Sequence, residues 1–453
     1  MSQDIVGLAD AAPRSTTSPA SYAHAWYTVL VLSLLYAVSW IDRNILVLLA
    51  EPVSQSLGLD DRQMALLLGL GFALLYAVGG LILGHFVDTR NRRVVASCGI
   101  VLWSVATILS AFANDFWTLL LLRCGVALGE AVLMPTAISL IADLFPHERR
   151  GLPVAAFTSV GSLMTIGSYA AGGAAISLAG SLAPGSEMEI WQISLVIVGL
   201  PGLALALLYA LTAKVPPHQS SASKGASEVG MKAMWIHLNA RRRFLGPLLS
   251  LTGINCIYSL AIAIWLPTVL IREHGLSASN AGYLIGAVGV PGALLGNFFW
   301  QWMSSRMQKR DPLRGVIRTF IVPALLVVPI YAAGLLTHSL AVQLASFGIG
   351  MFLATGFNVL TPISVQYYVP AQMRARMVTV NFMIISVLGY GLGPTAAVEI
   401  GSLLSDGVDS LRLGLVAVAL LTWPVMVVTT LIAVRNADGP QDQQPLANVA
   451  APA

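Results

Sequence analysis

The sequence predicts an all-α polytopic membrane protein, with twelve transmembrane helices in two six-helix bundles. Three observations predict it. Of 453 residues, 56% are hydrophobic and only 10% are charged, whereas a soluble domain carries roughly a quarter charged residues. The apolar residues fall into about twelve runs, each near the ~20 residues a helix needs to cross a hydrocarbon layer about 30 Å thick. One long polar stretch, Lys214 to Arg243, divides the runs six and six.

The runs lie at about residues 25–50, 61–83, 94–112, 116–143, 152–182, 190–213, 244–271, 281–303, 314–336, 341–369, 376–403 and 411–434. Each is predicted as one membrane helix, because hydrocarbon offers backbone N–H and C=O groups no partner outside the helix itself. Several runs contain Gly or Pro, which membrane helices accept where neighbours satisfy the freed backbone groups. Before the first run, residues 1–22 (MSQDIVGLADAAPRSTTSPASY) are polar and lack a basic-then-apolar leader. They read as a flexible cytoplasmic N-terminus rather than a cleaved signal. The first bundle then spans 23–213, the linker 214–243, the second bundle 244–435, and a flexible cytoplasmic C-terminus 436–453. The linker is rich in Ser, Gly and Pro, and its later half is predicted as a short helix on the membrane face.

Lys and Arg set the sidedness. With the N-terminus in the cytoplasm, twenty of the 25 basic residues fall on the cytoplasmic side, three outside (Arg62, Arg272, Arg412) and two within spans (Arg43, Arg123). Cytoplasmic loops carry such an excess, so both termini are expected there. The net charge of +4 is thereby spread through short loops, which argues against a nucleic-acid partner. Cys98, Cys124 and Cys256 all fall in or beside apolar runs, so neither a disulfide nor a metal site is expected.

The two halves resemble each other. GLDDRQMALLLG, Gly58 to Gly69, aligns with GLSASNAGYLIG, Gly275 to Gly286, at an offset of 217 residues. FPHERRG (Phe145 to Gly151) has a weaker counterpart in VPAQMRA (Val369 to Ala375). Parallel repeats of six helices are a transporter architecture.

Charge inside the spans is the main functional signal. Each ion costs roughly 2.5–3.5 kcal/mol at the centre of a membrane helix on insertion scales, so intramembrane ions mark substrate or proton routes by default. Asp42 and Arg43 sit side by side in SWIDRNILVLL of the first run. Arg123 and Glu130 are seven residues apart in the fourth, hence on one helix face and about 10 Å apart along its axis. Counted from the outer ends of their helices, Asp42 and Arg123 share a depth of roughly 10–12 Å, with Glu130 near the midplane. All four are expected in one polar interior. The second half offers mostly neutral polar groups within its spans, Asn255, Tyr258, Asn297, Asn358 and Asn381, with Glu399 near the outer end of the eleventh.

The loop after the second run reads GHFVDTRNRR, Gly84 to Arg93. It resembles the signature of the major facilitator superfamily, which implies a cytoplasmic gate built from Gly84, Asp88, Arg90, Arg92 and Arg93. Asp88 would accept hydrogen bonds from a helix N-terminus across the seam between halves, while the arginines grip acidic groups or lipid phosphates. Thr89 and Asn91 depart from the pattern, Asn91 standing where Gly is common; Asn tolerates the left-handed backbone such a Gly supplies.

IDRNIL in the first run, GFALLYAVGGLILG in the second, GEAVLMPTAISLIADLFPHERRG through the fourth and GYGLGP (Gly389 to Pro394) in the eleventh resemble the spinster family of that superfamily, in its bacterial branch. The resemblance is dense over 36–160 and weaker beyond. It implies the major facilitator fold, proton coupling, and a cargo of the sphingolipid-phosphate or lysophospholipid class. Asp42 and Glu130 are the expected proton carriers. Arg43, Arg123, Glu130, Asn255, Tyr258 and Asn358 are the expected substrate contacts. Partners are then a small amphipathic substrate, protons and membrane lipids, with no cofactor, and the protein is expected as a monomer in a bacterial inner membrane. GYGLGP reads as a bending point, and the glycines of GSLMTIGSYAAGG as close helix packing. A drug/proton antiporter or an organic-phosphate or sugar-acid carrier is the alternative. A membrane-embedded lipid enzyme is disfavoured, because all seven histidines fall at span ends or in loops. No phosphate-binding Gly-rich loop followed by Lys and Ser or Thr occurs, so the energy source is expected to be a gradient.

Overall fold

The computed structural model describes residues 19–212, 236, 238–311, 314–369, 373, 377, 380–381, 383–407 and 409–437. Among these there are twelve helices long and apolar enough to cross a membrane, and no strand. They are α1 (Tyr22–Leu48), α2 (Asp61–Gly80, its helix running on to Thr89), α3 (Arg92–Ser110), α4 (Phe116–Leu144), α5 (Gly151–Leu182) and α6 (Ile190–Thr212). After the linker come α7 (Arg242–His274), α8 (Ala278–Arg310), α9 (Arg314–Leu335), α10 (Leu340–Ser364), α11 (Ile385–Leu404) and α12 (Asp409–Ala437). Most of the linker, both terminal segments and much of the expected start of the eleventh span lie outside the described residues.

Several helices outrun the expected spans. α7 and α8 are 33 residues each, because hydropathy registers only the part in hydrocarbon. Their last turns carry Arg272 and His274, and Lys309 and Arg310, and cations at a helix C-terminus are favoured by its partial negative charge. Several breaks inside the expected spans were not anticipated, two of them in helices that carry the intramembrane ions. α1 stops at Leu48 before a short helix, Ala50–Leu57, and α4 breaks at Ala131–Val132. Each of these two lies three or four residues before a proline, Pro52 or Pro135. A proline lacks the N–H that would bond back one turn, and its ring crowds that carbonyl. At the start of α4, Asp115 caps the helix by accepting from the Thr118 hydroxyl and from the Thr118 and Trp117 amides, which holds its carboxyl below the usual carboxylate range.

The repeat read from the sequence has a local structural counterpart. Gly58 and Gly275, 217 apart, both end a helix with left-handed backbone, φ 66° and 64°, a conformation glycine adopts without steric cost. Asp60 and Ser277 then both cap the next helix, accepting from the Gln63 and Asn280 amides. Gly69 and Gly286 close the two segments, and each lets a helix of the other half approach: Tyr390 of α11 for one, Ala170 of α5 for the other. α2 against α11 and α5 against α8 thus form the seam between the halves.

The apolar cores show which face is shut. One continuous core joins Leu48, Val53, Met64 and Leu67 of the first half to Trp265, Leu266 and Leu270 of the second. These residues lie toward the face away from the linker, called the distal face below. A second core, including Leu32, Leu35, Leu140, Phe145 and Phe157, draws every buried member from between Ala25 and Tyr209. Among the described residues, therefore, the halves share a core only toward the distal face. Exposed Leu207, Leu211, Phe298 and Leu421 ring the outside, as a surface solvated by lipid tails allows.

Candidate functional site

Asp42 and Arg43 are adjacent on α1, so their side chains leave the helix about 100° apart. That divergence decides their partners. Asp42 is fully buried; its Oδ2 accepts a 2.5 Å hydrogen bond from the Thr107 hydroxyl of α3, and its Oδ1 faces Arg123 Nη1 of α4 at 3.6 Å. Arg43 turns the other way and donates from Nη2 to Glu130 Oε2 of α4 at 2.6 Å. The four ions expected together are together, as two crossed pairs. Each residue of α1 pairs with α4 rather than with its neighbour.

Aromatic side chains of α1 and α2 line the site. The Arg43 guanidinium carbon lies 4.6 Å from the ring centroid of Tyr76, 4.8 Å from Phe72 and 5.1 Å from Trp40. Arg123 lies 5.5 Å from the same Phe72 ring. Phe72 thus stands between two guanidinium groups, each attracted to a ring face by about 0.5–2 kcal/mol. The polar atoms are not all used: Asp42 Oδ1, Glu130 Oε1, Arg43 Nε and Arg123 Nε are buried with no hydrogen-bond partner in the protein. Reachability differs as well. The Arg43 side chain is 13% exposed and that of Arg123 4%, while both carboxylates are at 1%. Arg43 is the member of the quartet that a solute meets first.

The second half does not reach this quartet through Asn255 or Tyr258. Both are buried, and the Tyr258 hydroxyl donates to Asn255 Oδ1 at 2.7 Å. They satisfy each other inside the second half, with Tyr331 edge-on to the Tyr258 ring. Asn358 is exposed on α10.

Of the expected gate, the side chains of Gly84 and Asp88 lie outside the described residues. Arg90 is exposed just past the end of the α2 helix. Arg92 is buried and ion-paired with Asp143 at the end of α4, an anchor within the first half. Asn91 corrects an expectation: its φ is −65°, not left-handed. Its side chain instead caps α3 by accepting from the Arg93 amide at 3.1 Å, and capping requires extended backbone.

Sequence reasoning missed Thr107, Phe72 and Tyr76. The two rings had a signal, four residues apart on one helix face; a single hydroxyl in an apolar run had none. It also missed the distal ion pairs. Arg272 of α7 binds Asp61 with Nη1 and Nη2, at 2.9 and 2.7 Å, and Glu51 with Nε at 2.7 Å. Arg62 of α2 pairs with Glu399 of α11 at 2.9 Å. Arg412 reaches Glu273 and Asp409. These three arginines are the ones the charge bias placed outside, and two of them tie one half to the other.

The model of the Major Facilitator Superfamily matches residues 32–394. An MFS-type efflux pump of Mycolicibacterium smegmatis is 27% identical over 86% of this chain and 87% of its own length. Protein spinster homolog 1 of Xenopus tropicalis is 26% identical over 64% of this chain, and the match spans 56% of that relative. Among solved structures, a bacterial homologue of the human lysosomal transporter Spinster, inward-facing and unoccupied, superposes with a TM-score of 0.79 at 24% identity, covering 91% of this chain and 97% of the other.

Proposed function

The chain belongs to the Major Facilitator Superfamily, and we propose that this spinster-like transporter uses protons to move an amphipathic anion, of the sphingolipid-phosphate or lysophospholipid class, by alternating access. The superfamily consists of transporters rather than enzymes. One observation carries the finer reading: the crossed pairs Asp42–Arg123 and Arg43–Glu130, buried and only partly hydrogen-bonded. Stability does not explain them, since taking an ion out of water costs several kcal/mol and a well-packed apolar set is often as stable.

Their chemistry suits coupling. A proton on Glu130 removes the charge that holds Arg43. Arg43, the reachable cation, is then free to take two oxygens of a phosphate in its planar fork. Proton and anion thus favour one another's binding, and the linkage is reciprocal. Asp42, held by Thr107 and Arg123, is the second proton site, and Arg123 the second cation. The lipid tail would lie along the apolar second bundle, with Asn358 in reach and the Asn255–Tyr258 pair joining once that bundle rearranges. Linker and termini are assigned to the cytoplasm of a bacterial inner membrane by the positive charge there, and the protein to a monomer. The distal face is then the outer one, and the state described is closed outside. The Gly84–Arg93 segment, the end of the α2 helix and the turn after it, would latch the opposite state through Asp88, so Asp88→Asn should favour inward-open protein in cysteine-accessibility labelling.

The test is binding and uptake by purified protein in vesicles. Each tail methylene should contribute about 0.8 kcal/mol, so affinity for lysolipid phosphates should rise about fourfold per carbon and should be tighter at lower pH. Glu130→Gln and Asp42→Asn should each abolish pH-driven accumulation yet spare downhill exchange. A flat tail-length series would move the cargo to the drug class. Full pH-driven uptake in both carboxylate variants would remove the proton role.

A further inference from the structure

Among the described residues two membrane helices contain π turns, and they do so where they touch. α2 makes a π turn at Leu66–Leu70 and α11 a longer π stretch at Ile385–Leu392. A π turn widens the hydrogen-bond ladder by one residue and is found frequently at functional sites. These two meet across the seam between the halves. A Cβ on Gly69 would stand 2.5 Å from the Tyr390 carbonyl oxygen, and one on Gly391 would stand 2.8 Å from Leu70 Cδ1. Behind this contact α11 is pressed on α7 just as closely. A Cβ on Gly393 would overlap the Ile257 carbonyl, and one on Gly389 would come within 2.6 Å of Leu260. GYGLGP is therefore glycine-rich because α11 is wedged between two backbones while its ladder is widened.

Tyr390 sits inside this wedge. Its carbonyl lies against Gly69, and its phenol reaches back into the first half, beside the Arg43 guanidinium and Tyr76. Arg43 is in turn held by Glu130 and by the faces of Trp40, Phe72 and Tyr76. Phe72 and Tyr76 follow directly after the π turn of α2. One residue of the second half thus has Arg43 as an electrostatic neighbour of its side chain and the seam against its backbone.

We propose that Tyr390 is a positioning residue that transmits the state of the Arg43–Glu130 pair to the α2–α11 seam. The inference rests on that pair being the working centre of the transporter, as proposed above. While Glu130 holds Arg43, the phenol oxygen keeps a cationic neighbour and α11 stays bent onto α2. When a proton or an anion separates the pair, Arg43 shifts, the phenol loses its neighbour, and the π stretch is free to close toward α geometry. Closing a π turn removes one residue's worth of rotation, which turns the end of α11 relative to α2. Packed interfaces respond to such changes by switching between arrangements rather than by creeping.

The experiment follows the distance between the halves on the linker face. Spin labels at Glu148→Cys and Lys309→Cys, both exposed, are placed in full-length protein lacking its three native cysteines and held in lipid nanodiscs. Glu130→Gln mimics the protonated carboxyl. It should change the ratio of the inter-half distance populations by about fivefold or more, the usual scale of coupling between sites. In the Tyr390→Phe background, which keeps the ring and removes the hydroxyl, the change should fall below about twofold. Gly69→Ala, which crowds the Tyr390 carbonyl with the hydroxyl intact, should blunt it as well. An equal response in the native and Tyr390→Phe backgrounds overturns the proposal. So does no response to Glu130→Gln at all. Uptake driven by a pH gradient, measured on the labelled protein with Glu130 intact, separates the two readings: if it is absent while the distance response to Glu130→Gln survives, proton coupling fails and the role of Tyr390 stands.

Discussion

Asp42 is the most confined charge among the described residues, and the chemistry of its two oxygens differs. Oδ2 takes the Thr107 hydroxyl at 2.5 Å, whereas Oδ1 receives no hydrogen bond and looks toward Arg123 at 3.6 Å. Removing Thr107's hydroxyl would leave a buried carboxylate oxygen unpaired, a loss of about 1–3 kcal/mol. Thr107→Val should therefore lower the melting temperature of the purified protein. Thr107→Ser should restore it, and adding Asp42→Asn to Thr107→Val should recover part of the loss, because the unpaired charge is gone. Additive losses in the double variant would mean that Thr107 matters for packing alone. The same reasoning ranks the arginines: Arg43, more exposed than Arg123, should be the costlier loss for anion affinity.

Among the elements, α4 ties geometry to chemistry most tightly. Its two parts, Phe116–Glu130 and Leu133–Leu144, meet at a break directly after Glu130. Pro135 has no N–H to offer the carbonyl one turn earlier, at Ala131, so the ladder opens beside the residue proposed to carry the proton. Pro135→Ala would supply that donor. The variant should melt no lower than the native protein, yet its initial rate of pH-driven uptake should fall severalfold, because a continuous helix would re-aim Glu130. Native uptake in Pro135→Ala would show that the break serves only to fit the helix into its bundle. The break in α1 before Pro52 and the π turns of α2 and α11 belong to the same group. All interrupt helices that carry or touch the four charges.

For the whole molecule, the distal face is closed twice over. The apolar core is continuous across the halves there, and ion pairs lie above it. The pairs are unequal. Arg62 and Glu399 are 61% and 48% exposed, and such a surface pair contributes about 0–1 kcal/mol, screened by salt. Arg272 is 21% exposed and binds two carboxylates from the first half, so its removal also strands partly buried acids. Arg272→Ala should shift the population toward distal-open protein by about 1–3 kcal/mol, read as raised labelling of a cysteine near Leu270. Arg62→Ala should change labelling little at physiological salt. Equal effects of the two variants would mean that exposure does not set the strength of this latch.

The number of spans and the identity of the four ions within the first-half spans were legible in the chain alone. Each depends on local quantities: an apolar run of sufficient length and the rarity of charge in hydrocarbon. Seven-residue spacing was enough to place Arg123 and Glu130 on one face of α4. Glycine and cap positions even carried the internal repeat, because Gly58 and Gly275 meet the same backbone demand. Tertiary structure decided everything that depends on how far one helix is rotated against another. Asp42 pairs with Arg123 and Arg43 with Glu130, Phe72 separates the arginines, and Tyr258 turns to Asn255 instead of the centre. A sequence fixes the phase of a side chain on its own helix. The phase between helices, and the π turns that adjust it, come from packing between segments hundreds of residues apart.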